Sequence, residues 1–142
     1  MLLRPPRPDD LELFWTTRRD GFRTYAEQAF GPWDDVKQRA SAERDFAELL
    51  LEIVECEGVA IGYQVVERRA DHWFLDEVAV IASERNRGIG AELVRAIMDA
   101  AQRAGMPVRL NCLHVNPARH LYDRLGFRVV TTEDLRVRME WP

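Results

Sequence analysis

Cysteine is nearly absent from this 142-residue chain: Cys56 and Cys112 are the only two, each in or at the end of an apolar run. Two thiols cannot build a disulfide framework or a zinc site by themselves, and both read as buried side chains. Histidine is almost as scarce, and His72, His114 and His120 include no helical pair at i and i+4 spacing, so no metal is expected. No apolar run approaches the length of a membrane span, and Met1–Pro6 lack the apolar core of a secretory signal, so a cytoplasmic protein with no membrane partner is expected. Positive charge is not in excess, since 20 Lys and Arg stand against 24 Asp and Glu for a net charge of −4. That balance speaks against a general nucleic-acid-binding surface while leaving room for a local basic patch. Repeats, low-complexity tracts and linkers are missing as well. Residues 1–142 therefore read as a single domain, long enough to bury a core without staples.

What is present alternates between two periods. Leu2 to Arg4 can form a short strand, stopped by Pro5, Pro6 and Pro8. Asp9 or Asp10 would cap a helix running through Leu11, Phe14, Trp15 and Arg18 to about Ala29, where Gly31-Pro32 breaks it. A second, heavily charged helix from Asp34 to about Ala47 reads as a surface lid. Leu49–Glu55, Val59–Arg69 and His72–Val80 then read as three successive strands joined by Glu57-Gly58 and Ala70-Asp71 turns. A helix follows with Ile89, Leu93, Ile97 and Ala101 on one stripe, ended by Gly105 and Pro107. Val108–Val115 is a strand, Asn116 caps a helix with Pro117 at its first position, and Gly126 closes it. Strands at about 127–132 and 135–141 complete an α/β chain with a mixed central sheet flanked by helices, in the order β-α-α-β-β-β-α-β-α-β-β.

The most informative stretch is Arg85-Asn86-Arg87-Gly88-Ile89-Gly90-Ala91-Glu92, a polar glycine loop between an apolar strand and a helix. Glycines let backbone N–H groups approach an anion, and the unpaired donors and dipole of a helix N-terminus favour negative charge. Arg85 and Arg87 can add mobile positive charge. These features point to a di- or polyphosphate site. The bland alternative is a tight turn with close helix–sheet packing. The dinucleotide fingerprint fits badly, because Leu93 stands where a third glycine belongs. A P-loop fits worse, since no Gly-Lys-Ser/Thr follows.

The pattern [Gln/Arg]-x-x-Gly-x-[Gly/Ala], carried by Arg85, Gly88 and Gly90, resembles the acyl-CoA-binding motif of the GNAT superfamily of N-acyltransferases. A second segment, Val115-Asn116-Pro117-Ala118-Arg119-His120-Leu121-Tyr122-Asp123-Arg124-Leu125-Gly126-Phe127, resembles the other hallmark of that family. It has an Asn, an Ala three residues before a Leu-Tyr pair, and a closing Leu-Gly-Phe. Many members place two residues between the Asn and the Ala, whereas only Pro117 intervenes here. The two motifs cover roughly residues 73–127. Residues before Trp73 carry little of the likeness.

The resemblance implies a GNAT-like fold and an acetyl-CoA-dependent N-acetyltransferase whose acceptor is a primary amine. Arg85, Asn86, Arg87, Gly88, Ile89 and Gly90 would cradle the diphosphate, with Arg119 reaching the phosphates or standing as a solvated charge. Backbone amides of Val78 and Val80 would bind the pantetheine arm, one of them facing the thioester oxygen. A strand that has parted from its neighbour leaves peptide groups free for such a peptide-like ligand. Asn116 has two possible jobs, helix cap and partner of the arm. Tyr122 occupies the tyrosine position of the family and would protonate the departing thiolate, which a phenol can do without being ionised at neutral pH. Glu77 is preferred as general base over His114. Asp76 would point to the opposite face if the strand is regular. Tyr25, Phe30, Trp33, Asp34 and Asp35 would line the acceptor side, where aromatics with carboxylates suit a cationic small amine. A protein N-terminus or lysine as acceptor, a non-catalytic acyl-CoA sensor and a nucleotide-binding protein are the competing readings. A homodimer through edge strands or the last hairpin is plausible.

Overall fold

The computed structural model describes all 142 residues. Strand β1 (Leu2–Arg4) ends at Pro5-Pro6, and a single 3-10 turn (Pro8–Asp10) leads into α1 (Leu11–Phe30). The expected aspartate cap is replaced by a different bond, because the Asp10 carboxylate turns back to accept the Arg7 N–H at 2.6 Å and pairs with Arg4 at 2.8 Å. This ties β1 to the start of α1. After the Gly31-Pro32 break, α2 (Asp35–Glu48) is capped as its sequence requires, with Asp34 Oδ1 accepting the Lys37 N–H at 3.1 Å. Only Ala42 of α2 is buried, as befits a helix lying on the surface.

The chain then changes period and forms β2 (Leu51–Cys56), β3 (Val59–Arg68) and β4 (Trp73–Val80) as an antiparallel meander. A 3-10 turn (Ala82–Glu84) and the glycine loop connect β4 to α3 (Ile89–Arg103). Strand β5 (Val108–Leu113), α4 (Ala118–Leu125), β6 (Arg128–Thr132) and β7 (Arg136–Trp141) follow. Strand β5 stops two residues earlier than its apolar run implied, so His114 and Val115 fall in the turn before α4. The seven strands lie in the order β1-β2-β3-β4-β5-β7-β6, antiparallel throughout except for the parallel pair β4–β5.

Adjacent residues of β3 sort the two faces of the sheet. Val65 joins a cluster with Phe14, Trp15, Ala42, Leu51, Ile53 and Tyr63 under α1 and α2. Val66 joins the larger cluster of Leu75, Val94, Ile97, Met98, Leu110, Phe127 and others under α3 and α4. The α3 stripe lies close to the expected one, with Leu93, Ile97 and Ala101 buried together with Val94 and Met98. Each large aliphatic buried this way contributes roughly 1.5–3 kcal/mol, so the α3 face alone anchors the central strands firmly. No helix is long and apolar enough to cross a membrane.

Candidate active site

The site begins where the sheet comes apart. Strands β4 and β5 pair only at Trp73↔Val108 and Phe74↔Arg109, after which β5 continues against β7 and β4 has no neighbour on that side. The orientation of the freed groups follows from one hydrogen bond. Ile81 donates to the Ile61 carbonyl at 2.8 Å, and peptide groups alternate in direction along an antiparallel strand. Glu77 and Ala79 therefore bond to β3, whereas the N–H and C=O groups of Val78 and Val80 face the gap. The Val80 carbonyl is already engaged there, by Arg85 Nε at 3.0 Å. That leaves the N–H of Val78, the C=O of Val78 and the N–H of Val80 for a ligand, a set that matches an amide-bearing arm. The side chains of Val78 and Val80 meanwhile pack toward α3, so packing and backbone recognition coexist in the same residues.

At the open end of β4 the glycine loop forms a cradle. Asn86 (φ 63°) and Gly88 (φ 76°) both take left-handed backbone conformations, and the second of these is accessible without strain because Gly88 lacks a Cβ. The N–H groups of Asn86, Arg87 and Gly88 donate to no backbone carbonyl. No side chain caps α3, so the N–H groups of Ile89 and Gly90 in its first turn are unpaired as well. The loop that carries these donors is exposed at Asn86, Arg87 and Gly88. Arg87 is an exposed side chain held loosely by Glu84 at 3.3 Å. The residues present thus fit a diphosphate at the helix N-terminus and a peptide-like arm along β4.

Helix α4 closes the other side. Pro117, expected at the first helical position, stands at the N-cap instead; Asn116, one residue earlier, accepts the Ala118 N–H through Oδ1 at 2.9 Å, and its amide NH2 has no partner. Tyr122 packs on the cluster that contains Leu75 of β4 and Leu110 and Cys112 of β5, with its ring edge-on to Phe127 at 5.6 Å. Its hydroxyl makes no hydrogen bond within the protein. Burial, and secondarily the neighbouring Cys112, push its pKa up to about 12, which keeps the phenol protonated at any physiological pH. Arg119 lines a polar recess of about 360 Å³ with His114, Asn116, His120 and Asp123.

Two adjacent carboxylates stand on the opposite side of β4, and the strand there is not regular. The register jumps from Val66↔Leu75 to Val65↔Glu77, leaving Asp76 as an extra, unpaired residue. The bulge inverts the side-chain alternation, and Leu75 and Val78, three residues apart, both face α3. Because Leu75 and Val78 both face α3, the two residues between them lie on the other side, which overturns the expectation that Asp76 and Glu77 point to opposite faces. Their circumstances differ sharply. Glu77 accepts from Arg18 Nε at 3.0 Å, from Arg18 Nη2 at 2.6 Å and from the Tyr63 hydroxyl at 3.1 Å. Arg18 is completed by Asp45 at 2.9 Å and lies over the Phe14 ring at 4.5 Å. Tyr63 is held neutral, its pKa raised by burial and then by the Glu77 charge. Asp76 has no partner at all. Its side chain keeps a large area open to solvent, yet the enclosing protein, and then Glu77 and Glu67, raise its pKa above the ordinary aspartate value.

A family model described as the acetyltransferase (GNAT) family matches residues 11–127, most of the chain. The chain belongs to the GNAT acetyltransferase family. Solved structures of the same fold agree across its length. The PaiA N-acetyltransferase of Thermoplasma acidophilum, crystallised with coenzyme A, superposes with a TM-score of 0.76 at 16% identity, over 98% of this chain and 96% of that one. An N-acetyltransferase of Staphylococcus aureus Mu50 gives 0.75 at 14% identity, over 99% and 100%. The ribosomal-protein-S18-alanine N-acetyltransferase of Escherichia coli gives 0.70 at 20% identity, over 99% and 92%. At such identities the likeness is one of fold.

As a GNAT acetyltransferase the chain is an acetyl-CoA-dependent enzyme. Three of the acceptor residues read from the sequence are engaged within the fold. Trp33 stacks on Trp15 at 6.4 Å and donates to Asp35 at 2.8 Å, while Asp34 is the cap of α2. These are structural jobs. His114, the second candidate base, is bonded through Nε2 to the Glu133 carbonyl at 2.7 Å. The residue that sequence reading missed is Arg18, which secures Glu77 from 59 positions away, whereas Asp76 is set aside there only on the premise of a regular strand, which the bulge removes.

Proposed function

We propose that this enzyme transfers an acetyl group from acetyl-CoA to the primary amine of a small molecule in the cytoplasm, by direct attack in a ternary complex. The observation that carries the reading is the parting of β4 from β5 beyond Phe74, with the N–H and C=O of Val78 and the N–H of Val80 left unpaired beside the uncapped N-terminus of α3. The backbone of Asn86–Gly90, with Arg87, holds the diphosphate. The arm lies along β4, Asn116 offers its free amide to it, and Arg119 adds charge at the nucleotide end.

An ammonium must first lose a proton. That step is assigned to the Asp76–Glu77 pair, in which Asp76 is free to take the proton and Glu77 is fixed by Arg18 and Tyr63. The neutral nitrogen then attacks the thioester carbon, forming the C–N bond. Charge that gathers on the carbonyl oxygen faces the Val78 or Val80 N–H. As the C–S bond breaks, the thiolate takes the Tyr122 proton. An unpaired carboxylate at the acceptor side supports a cationic small amine. The edge strand β6, exposed at all five residues, is the surface through which two copies would join.

Thermal unfolding with acetyl-CoA, CoA, ATP and NAD in turn, followed by thiol release across an amine panel, tests the proposal. Stabilisation by both CoA species and turnover on a small amine is expected. Turnover only on peptide N-termini or lysines would reassign the acceptor. Stabilisation without turnover on any amine would leave a binding module.

A further inference from the structure

Arg85 stands at a position of the glycine loop where a phosphate contact is the natural expectation, but its side chain is turned elsewhere. Its Nε donates to the Val80 carbonyl, the last of β4 and the one gap-facing acceptor at the strand end. It makes no ion pair. On its far side, Nη2 lies 3.3 Å from the place where a Cβ on Gly21 would stand. Gly21 is in the interior of α1, where glycine is unfavourable relative to alanine and where this residue adopts no left-handed backbone to justify it. The helix therefore carries a local penalty where the Arg85 guanidinium lies against it. Three elements meet at this side chain: the acceptor-side helix α1, the end of β4 and the loop that leads to α3.

We propose that Arg85 is a positioning residue, wedged between Gly21 and the Val80 carbonyl, which fixes the open end of β4 where the donor's amide arm pairs with it. The inference rests on the acetyl-CoA reading of the gap. It assigns Arg85 a neutral task, donation to a carbonyl, and Gly21 the task of leaving room for it.

The test compares kcat/KM with acetyl-CoA and with S-acetylpantetheine, which carries the thioester arm but no phosphate. Arg85→Met should lower the value about tenfold for both donors, the scale of one lost hydrogen bond to a charged donor. Arg85→Gln should recover most of the loss, since its amide can still donate to Val80. Gly21→Leu should reproduce the loss from a residue that touches no ligand, and adding it to Arg85→Met should cost little more, because both remove one interaction. Gly21→Ala, which improves the helix, should unfold at the same or higher temperature and yet lose about twofold in kcat/KM with both donors. A loss in Arg85→Met confined to acetyl-CoA would make Arg85 a phosphate ligand and overturn the proposal. Full activity in the folded Gly21 variants would overturn it as well. A wild-type protein that turns over neither donor would overturn the transferase reading, and this inference with it.

Discussion

Strand β4 meets α3 through Leu75, Val78 and Val80, and α1 through Glu77 and Ala79, and the two sides are built from opposite materials. The α3 side is apolar, and its one demand on β4 is that the strand stay in place. Recognition there is left to peptide groups, which every residue has, so the donor half needs few particular side chains beyond a glycine loop and a tyrosine. The α1 side has an apolar cluster of its own, but against β4 it also sets a polar group, with Arg18, Asp45, Tyr63, Glu77 and Asp76 drawn from four elements. A cofactor shared by a whole family can be held by backbone, whereas an individual acceptor must be met by side chains. The bulge at Asp76 is what allows one strand to serve both, because it shifts the alternation between Leu75 and Val78 without disturbing pairing to β3 at Glu77 and Ala79.

The comparison is broken most severely by Asp76→Asn. Loss of the free carboxylate should lower kcat/KM by about 10²–10³-fold, read in steady-state assays at saturating acetyl-CoA. The sign of its pH dependence follows from the raised pKa. Asp76 must be ionised to act, so wild-type activity should fall as pH drops through a value above that of an ordinary aspartate, and the limb should vanish in the variant. In the folded protein the ionised form is the disfavoured one, so the same substitution should not lower thermal stability at neutral pH.

On the other side, Tyr122→Phe should lower kcat by about 10²-fold and leave the Kd for CoA nearly unchanged, read by single-turnover thiol release and calorimetry. An unchanged rate would remove Tyr122 from the chemistry. Arg18→Met sharpens the contrast from the acceptor side. It leaves Glu77 beside Asp76 and Asp45 with no cation, and should cost about 2 kcal/mol in urea unfolding, less than for a fully buried pair because Asp45 is partly solvated. The smallest effect is expected of Tyr63→Phe, which removes one hydrogen bond to Glu77 and keeps the ring against Phe14, for about 1 kcal/mol.

How much of this was legible in the sequence follows the same division. The donor half is written as residue types at fixed local spacing: Gly88 two residues before Gly90, Asn116 just before a helix, and Tyr122 ahead of Leu-Gly-Phe. Local spacing survives in a sequence, and so do the helix stripe of α3 and the order of the elements. The acceptor half depends on contacts between distant segments. Nothing near Arg18 announces Glu77, and nothing near Gly21 announces Arg85. The aromatics and acids around Gly31-Pro32 looked like a binding surface because Trp33, Asp34 and Asp35 carry the right chemistry, but that chemistry is spent within the fold on a cap, a stack and an indole hydrogen bond. The bulge was not legible, because Trp73–Val80 is apolar at every position but Asp76 and Glu77 and shows no alternation for it to break.

The central claim is that β4 offers its peptide groups to acetyl-CoA across the gap, and backbone amide exchange tests it residue by residue. By NMR, the Val78 and Val80 amides should exchange rapidly in the free protein and become protected when CoA saturates it, while Ala79, bonded to β3, is protected throughout. Val78 and Val80 amides that are already protected without CoA, or that remain fast in its presence, would contradict the account.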